Sequence, residues 1–432
     1  MRPKDILEID YFILLPALAL IVIGILFIYS SGMSSGNTQE YMKQIIWASI
    51  GLVVSLAFAM INYRRLYDFS LWIYLLAIVP LLYTLFFGRV IHGTRWLRIG
   101  FFGIQASEFA KITTIIFLAR YLADTRRSGS SFIRFIVSCL IVVVPMGIVL
   151  IQPDLGTALV FIPILLSMTF VAGLSIRYMV FSVSCIGLTG VLTILPLWQT
   201  YILKKSIPAL ALLTNGRLII IIIFALSIIM AIALFGFLKY RKRYFFWILY
   251  AVAIIVFSLG ASYMGRRLLR NYQIMRLIVF LDPSVDPRGA GWNIIQSITA
   301  IGAGGFSGKG FLQGTQSQYR FLPEQSTDFI FSIFSEEAGF IGGIIVFALF
   351  LIICLRILQL MNTTTDPFAS YICAGLAGVY SFHFLINVGM TMGIMPITGI
   401  PLVFMSYGGS SMISTMLGMG ILMSIHVRRY IH

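Results

Sequence analysis

Twelve apolar runs decide what this chain can become. They fall near 11–31, 41–61, 67–87, 106–123, 132–151, 156–173, 177–196, 216–238, 244–263, 330–356, 368–390 and 401–426. A helix crosses the hydrocarbon core of a bilayer with about 20 predominantly apolar residues, and within that core each backbone N–H and C=O must be satisfied inside the segment. The expected fold class is therefore an all-α polytopic integral membrane protein with about 12 transmembrane helices. Of 432 residues, 59% are hydrophobic and 11% charged, against roughly 45–50% and about 25% in soluble domains. A soluble enzyme, a disordered chain and a disulfide scaffold are excluded on that ground. Cys139, Cys185, Cys354 and Cys373 lie inside apolar runs without CxxC spacing and read as small buried hydrophobes. The run behind the polar stretch Met1–Asp10 lacks a small-residue cleavage site and is expected to be a retained first span.

Charge sets the orientation. Lys and Arg total 31 against 15 Asp and Glu, a formal charge of +16. No nucleic-acid-binding motif accompanies that excess, so nucleic acid is not an expected partner. With the N-terminus inside, the inner segments hold Arg64 and Arg65, Arg126 and Arg127, Arg177, the cluster Lys239, Arg241, Lys242 and Arg243, then Arg356, and last Arg428 and Arg429. Each is basic, as the bias of cytoplasmic loops toward Lys and Arg requires. Both termini are expected in the cytoplasm. Two outer connections are long: Gly88–Gln105, and 264–327, which is dense in aromatics, glycines and polar residues and is expected to be a structured loop.

Sorting the carboxylates points to the outer face. Asp5, Glu8, Asp10, Asp68, Asp124, Asp366 and Glu40 fall in tails and loops where solvation accounts for them. Glu108, Asp154, Asp282, Asp286, Glu324, Asp328, Glu336 and Glu337 fall in outer loops or helix ends near the outer side. Ionisable residues at membrane depth are costly and mark function by default.

Four places carry possible chemistry. Glu108 and Lys111, three apart on one helical face, read either as a structural ion pair or as a pair whose Lys111 touches substrate. Asp154, in Gln152-Pro-Asp-Leu-Gly-Thr157, reads as a turn and helix cap or as a possible outer-turn site. Gly302, Gly304, Gly305, Gly308 and Gly310 surround Lys309 and could present backbone N–H groups to a phosphate, or simply turn the chain. Asp328 stands at the start of a span; desolvation there tends to raise a carboxyl pKa, which suits a general base for a sugar hydroxyl. An N-cap of the following helix is the plain alternative and is compatible with it.

These motifs, in this order, resemble the SEDS (shape, elongation, division and sporulation) family of peptidoglycan glycosyltransferases. The resemblance rests on Arg95-Trp96-Leu97, Ser107-Glu108 with Lys111, Gln152–Thr157, Asp282-Pro with Asp286-Pro-Arg-Gly-Ala-Gly291, and the closing Pro396, Gly399-Ile-Pro401 and Ser406–Ser410. Gly314-Thr-Gln-Ser-Gln318 with Phe321-Leu-Pro-Glu324 and Thr327-Asp-Phe-Ile-Phe331 looks like the family's rod-shape branch more than its division branch. Three features depart from the family pattern: Ser326 stands where a histidine is expected, Ala106 where proline is common, and two apolar runs exceed the usual ten spans. The chain is thus expected to be a single transmembrane domain, 1–432, in which a two-helix insertion at 197–263 precedes the 264–327 loop.

The resemblance implies polymerisation of lipid II at the outer face of the bacterial inner membrane during cell elongation, with undecaprenyl pyrophosphate leaving and inversion at the sugar. It also implies a class B penicillin-binding protein, the elongation machinery and membrane lipids as partners. Carried over by motif, the family's essential loop aspartate falls on Asp328, its tryptophan on Trp96, and its paired glutamate and lysine on Glu108 and Lys111. Trp96, Lys111, Lys309, Arg320 and Glu324 are the candidate substrate contacts. Cations are needed at the departing pyrophosphate; Lys111, Lys309, Arg266, Arg267, Arg270, Arg276, Arg320 and a divalent ion (Mg or Mn) held by carboxylates all remain open. A flippase of lipid-linked precursor is the rival reading. It would need polar residues through the membrane depth, whereas the acidic set here gathers near one face.

Overall fold

The computed structural model describes residues 10–33, 39–87, 96–99, 102–127, 130–203, 205, 207, 210, 212–213, 215–319 and 321–429. Its elements in order are α1 (Tyr11–Met33), α2 (Gln39–Met60), α3 (Arg64–Phe87), β1 (Trp96–Ile99), β2 (Phe102–Gln105), α4 (Ala106–Asp124), α5 (Ser131–Ile151), α6 (Leu155–Leu159) and α7 (Phe161–Val171). Then come α8 (Ile176–Trp198), α9 (Gly216–Tyr240), α10 (Arg243–Leu268), α11 (Asn271–Leu281), α12 (Ala290–Gly304), α13 (Thr315–Gln318), α14 (Ile330–Thr363), α15 (Pro367–Thr391) and α16 (Gly409–Arg428).

Each of the twelve apolar runs contains helix, although residues 401–408 of the last form none. Among the described residues, ten helices are long and apolar enough to cross a membrane. α4 falls outside that set because it carries Glu108, Lys111, Arg120 and Asp124. The run 156–173 is divided at Val160 into α6 and α7; at 1.5 Å per residue, seventeen residues reach about 26 Å, short of a bilayer core of about 30 Å. The all-α class holds, with one short addition among the described residues. β1 and β2 form an antiparallel hairpin with Trp96 opposite Gln105 and Ile99 opposite Phe102. This stretch lies between spans, and the two strands satisfy each other's backbone groups where no helix does. Much of the 264–327 connection is helical, in α11, α12 and α13.

The chain divides into two compact units, Met1–Leu174 with Trp292–His432, and Ser175–Gly291. In the first, α2 runs along α16, α1 and α15 pack on α14, and α4 lies against α3 and α15. α15 and α16 are the most enclosed spans. Their small residues permit this: a Cβ on Gly420 would collide with the Ser55 carbonyl, and one on Gly418 with the Tyr380 hydroxyl. Close approach through small residues is the usual basis of helix packing where lipid removes the hydrophobic drive. Phe350, Phe384, Phe404 and Tyr380 interlock edge and face where α14, α15 and the 401–405 segment meet. In the second unit α10 packs between α8 and α9, and α11 lies along α8.

The residues expected on opposite faces do collect at opposite ends of the first unit. At one end Asp10 binds Arg356 (2.6 Å) and His426 (3.1 Å), Asp366 accepts from the Tyr63 hydroxyl, and Arg428 donates to the carbonyls of Ala59 and Met60. At the other, Gln105 joins Asp154 and Ser410, and Gln44 joins Ser406 and Gly408. Asp10, taken as solvated, is in fact 2% exposed. Burial alone would raise its pKa, but the hydrogen bonds and charges of His426 and Arg356 outweigh it and hold the carboxyl below its ordinary value.

Candidate functional site

Asp328 sits on a turn held from several directions. Glu324 adopts φ +51°, unusual for a residue with a side chain, and in this pose its carbonyl accepts from the N–H groups of Asp328 (3.2 Å) and Phe329 (3.3 Å). Tyr407 N–H donates to the Ser326 carbonyl at 2.8 Å, tying the turn to the segment ahead of α16. Asn387, on α15, donates through Nδ2 to the Asp328 carbonyl at 3.0 Å. The N-cap position of α14 is Phe329, whose side chain offers no acceptor, and Asp328 is the residue before it. Asp328 is half-buried and Glu324 exposed; Thr327 Oγ1 lies 3.3 Å from Glu324 Oε2.

The glycine–lysine loop is not an open phosphate cradle. α14 breaks at Gly339, whose φ +66° and ψ −164° interrupt its hydrogen-bond ladder. The break frees the carbonyls of Glu336 and Glu337 and the N–H groups of Phe340 and Ile341. Loop residues replace the lost partners: Lys309 N–H donates to Glu336 O and Gly310 N–H to Glu337 O, while Phe340 N–H donates to Gly305 O and Ile341 N–H to Phe306 O. Wrapped onto the helix this way, the loop encloses both glutamates. Glu336, 0% exposed, accepts from Lys309 Nζ (2.7 Å), Thr315 Oγ1 (2.9 Å) and the N–H groups of Gln316 (3.0 Å) and Ser317 (3.4 Å). Glu337 accepts from Ser30 Oγ (2.6 Å), Ser317 Oγ (3.1 Å) and Leu312 N–H (3.0 Å). The N–H groups of Gly308, Lys309 and Gly310 thus meet backbone carbonyls, and those of Leu312, Gln316 and Ser317 meet the two carboxylates. Lys309 keeps 28% of its side chain exposed beside Glu336.

Glu108 and Lys111 form an ion pair of 2.9 Å with each side chain 4% exposed. Two partners on other helices complete it: Ser414 donates to Glu108 Oε2 (3.1 Å), and Lys111 Nζ lies 3.1 Å from His383 Nε2. Lys111 Nζ thus sits between Glu108 and His383 as a buried cation. Asp154 is the N-cap of α6, accepting from Thr157 N–H (3.2 Å) and Thr157 Oγ1 (3.0 Å), and it also accepts from Gln105 Nε2 (3.0 Å). Asp282 accepts from Ser284 N–H (2.9 Å) and Ser284 Oγ (2.6 Å), donations that hold its pKa below the usual value, and Asp286 accepts from Ala290 N–H. Trp96 lies in β1, but its side chain, like all of Arg320, is outside the described residues. Arg266, Arg267, Arg270 and Arg276 belong to the second unit.

Two site residues went unread in the sequence, His383 and Asn387. A signal was there: a histidine and an asparagine four apart inside the apolar run 368–390, a spacing that puts both on one helical face.

The family model for FtsW/RodA/SpoVE cell cycle proteins matches residues 10–206 and 198–431. The peptidoglycan glycosyltransferase RodA of Treponema pallidum (strain Nichols) is 48% identical over 434 residues, covering 99% of this chain and 100% of its own. The peptidoglycan glycosyltransferase MrdB of Escherichia coli (strain K12) is 33% identical, over 98% of this chain and 95% of its own. Among solved structures, a chain of a peptidoglycan synthase complex described as coordinating polymerization and crosslinking superposes with a TM-score of 0.69 at 23% identity, over 98% of this chain and 99% of that one. The crystal structure of the rod shape determining protein RodA of Thermus thermophilus gives 0.61 at 20% identity, over 98% of each.

Proposed function

Because the chain belongs to the FtsW/RodA/SpoVE family of cell cycle proteins, we propose that it is a membrane-embedded peptidoglycan glycosyltransferase that polymerises lipid II, with Asp328 as its general base. The observation that carries the assignment of the base is one of accessibility. Of the outer carboxylates, Glu108 is neutralised in a buried pair, Asp154 caps a helix, and Glu336 and Glu337 are enclosed by the 305–318 loop. Asp328 combines a half-exposed position with a backbone fixed by Glu324 and Asn387. A base must be both reachable and held still.

In the reaction, the acceptor sugar's 4-hydroxyl attacks the anomeric carbon of the donor. The new C–O bond forms as the bond to the pyrophosphate oxygen breaks, the configuration inverts, and the hydroxyl proton passes to the Asp328 carboxylate. Negative charge grows on the departing undecaprenyl pyrophosphate, and a cation directed at it lowers the barrier. Lys309, partly exposed, is the cation of the described first unit best suited to that task; Lys111 is enclosed. Among the described residues no three His, Cys, Asp or Glu side chains gather as a metal-ligand set, and Glu336 and Glu337 are committed to the loop.

The reading places the site at the outer face of the bacterial cytoplasmic membrane with both termini inside, supported by the basic inner segments and by the separation of the Asp10 and Asp328 clusters to opposite ends. A class B penicillin-binding protein is the partner it implies, supported by the fold shared with the synthase complex.

The test is polymerisation of lipid II by purified protein, with and without a class B partner, comparing wild type with Asp328→Asn. Glycan strands from wild type alone, with the variant equally folded, support transferase and base together. Strands from both would remove Asp328 from the chemistry. Strands from neither, even with the partner, would turn attention to lipid flipping.

A further inference from the structure

We propose that Asn387 is a positioning residue for Asp328, whose carboxamide clamps the turn that carries the base to the Ile400–Pro401 segment. The inference rests on Asp328 being the base. Asn387 is fully buried. Its Nδ2 donates to Asp328 O at 3.0 Å and to Ile400 O at 2.8 Å. These two acceptors come from stretches 59 residues before it and 13 after it. Both are carbonyls, so both must face the NH2 group, and the amide can be seated only one way.

The clamp has a second member. His383, four residues earlier on α15, holds the adjacent carbonyl of Pro401 through Nδ1 at 3.0 Å, and its Nε2 meets Lys111. One polar stripe of α15 therefore grips consecutive carbonyls of a segment that forms no helix or strand of its own. A continuous line of contacts runs from Ser414 and Glu108 through Lys111 and His383 to Pro401, then from Ile400 through Asn387 to the backbone of Asp328.

What sets Asn387 apart from a filler of space is its other end. Its Oδ1 is buried and finds no hydrogen-bond partner among the described residues. A buried acceptor left unmatched disfavours the folded state, and leucine would occupy the same volume without that penalty. The arrangement is explained if bringing the nitrogen to both carbonyls is what the position is for. Because a displacement of about 1 Å in a reacting group can cost roughly 100-fold in rate, fixing the peptide of Asp328 translates into fixing its carboxylate.

The experiment is steady-state polymerisation of lipid II by the full-length protein, with its class B partner present, for wild type, Asn387→Leu, Asn387→Ser and Asp328→Asn. Rates are expressed per folded, monodisperse molecule. Asn387→Leu is expected to lower kcat by about 10- to 100-fold with KM for lipid II within about twofold of wild type, and Asn387→Ser, which keeps one donor, is expected in between. A kcat per folded molecule equal to wild type would mean that Asn387 only stabilises the bundle, and overturns the proposal. So would a raised KM at unchanged kcat, the mark of a substrate contact. If the leucine variant does not fold, the serine variant decides by the same criterion. Asp328→Asn separates the two levels: if it is inactive while the Asn387 variants are unimpaired, the base stands and the clamp falls; if it remains active, the base reading itself has failed.

Discussion

Lys111 donates from its ammonium to Nε2 of His383 across 3.1 Å, deep between α4 and α15. The ring nitrogen facing a lysine must be the unprotonated one, so the imidazole proton sits on Nδ1 and points to the Pro401 carbonyl at 3.0 Å. His383 is thus a neutral acceptor that shares a cation with Glu108. The buried charges of this pair are matched, and each depends on the other being present.

Removing one partner should be costly. Glu108→Gln or Lys111→Met is expected to destabilise the protein by about 3–5 kcal/mol, because an uncompensated charge is left in a dry site, whereas the double variant should regain much of that loss. Thermal unfolding in detergent checks it. Single variants that melt with wild type would show that the pair contributes nothing.

Gly308 and Gly339 approach back to back. A Cβ on Gly308 would overlap the Glu337 carbonyl, and one on Gly339 the Gly308 nitrogen. Gly339→Ala must also force alanine into φ +66°, ψ −164°, a region open essentially to glycine. Together the strain and the overlap are expected to cost about 2–5 kcal/mol. Gly343→Ala, where a Cβ meets nothing within 4 Å, is the matched control and should fold normally. Equal yields of monodisperse protein from both variants would count against the described break.

Glu336 organises the loop from within. Glu336→Gln removes the charge that Lys309 and the N–H groups of Gln316 and Ser317 converge on. Hydrogen bonds to a charged group are worth about 1.5–3 kcal/mol, so hydrogen exchange at those two amides should quicken by about 10- to 100-fold, with α15 unaffected. Exchange mass spectrometry reads this directly; unchanged protection would mean the loop holds without the carboxylate.

Asp10 should make stability fall in acid. Its folded-state pKa lies below its ordinary value of 3.8, so the stabilisation is present in full above that value and is lost as pH drops through the lower folded-state value. Between about pH 5 and about pH 3, wild type should lose more in Tm than Asp10→Asn. Parallel losses would remove Asp10 from the acid response.

The membrane-spanning helices were readable because an apolar run is local information. The motif around Asp328 is local in the same way. Glu336 and Glu337 were misread by omission, since their role depends on a break at Gly339, and a glycine in an apolar run ordinarily passes without consequence in a membrane helix. Asp10 looked solvated because its partners, Arg356 and His426, lie at the far end of the chain. The second partner of Lys111 was hidden for the same reason: it is 272 residues away.

By itself the sequence determined the solvent this protein folds in, the helices that solvent demands, and a carboxylate motif placed at the start of a span. Those follow from composition over short windows and from the cost of unpaired backbone groups in lipid. Tertiary structure decided which polar groups are spent on the fold and which stay accessible. It filled the glycine loop with Glu336, sealed Lys111 between Glu108 and His383, and brought Asn387 to the turn of Asp328. Burial and pairing are properties of neighbours in space, and only the folded chain supplies them.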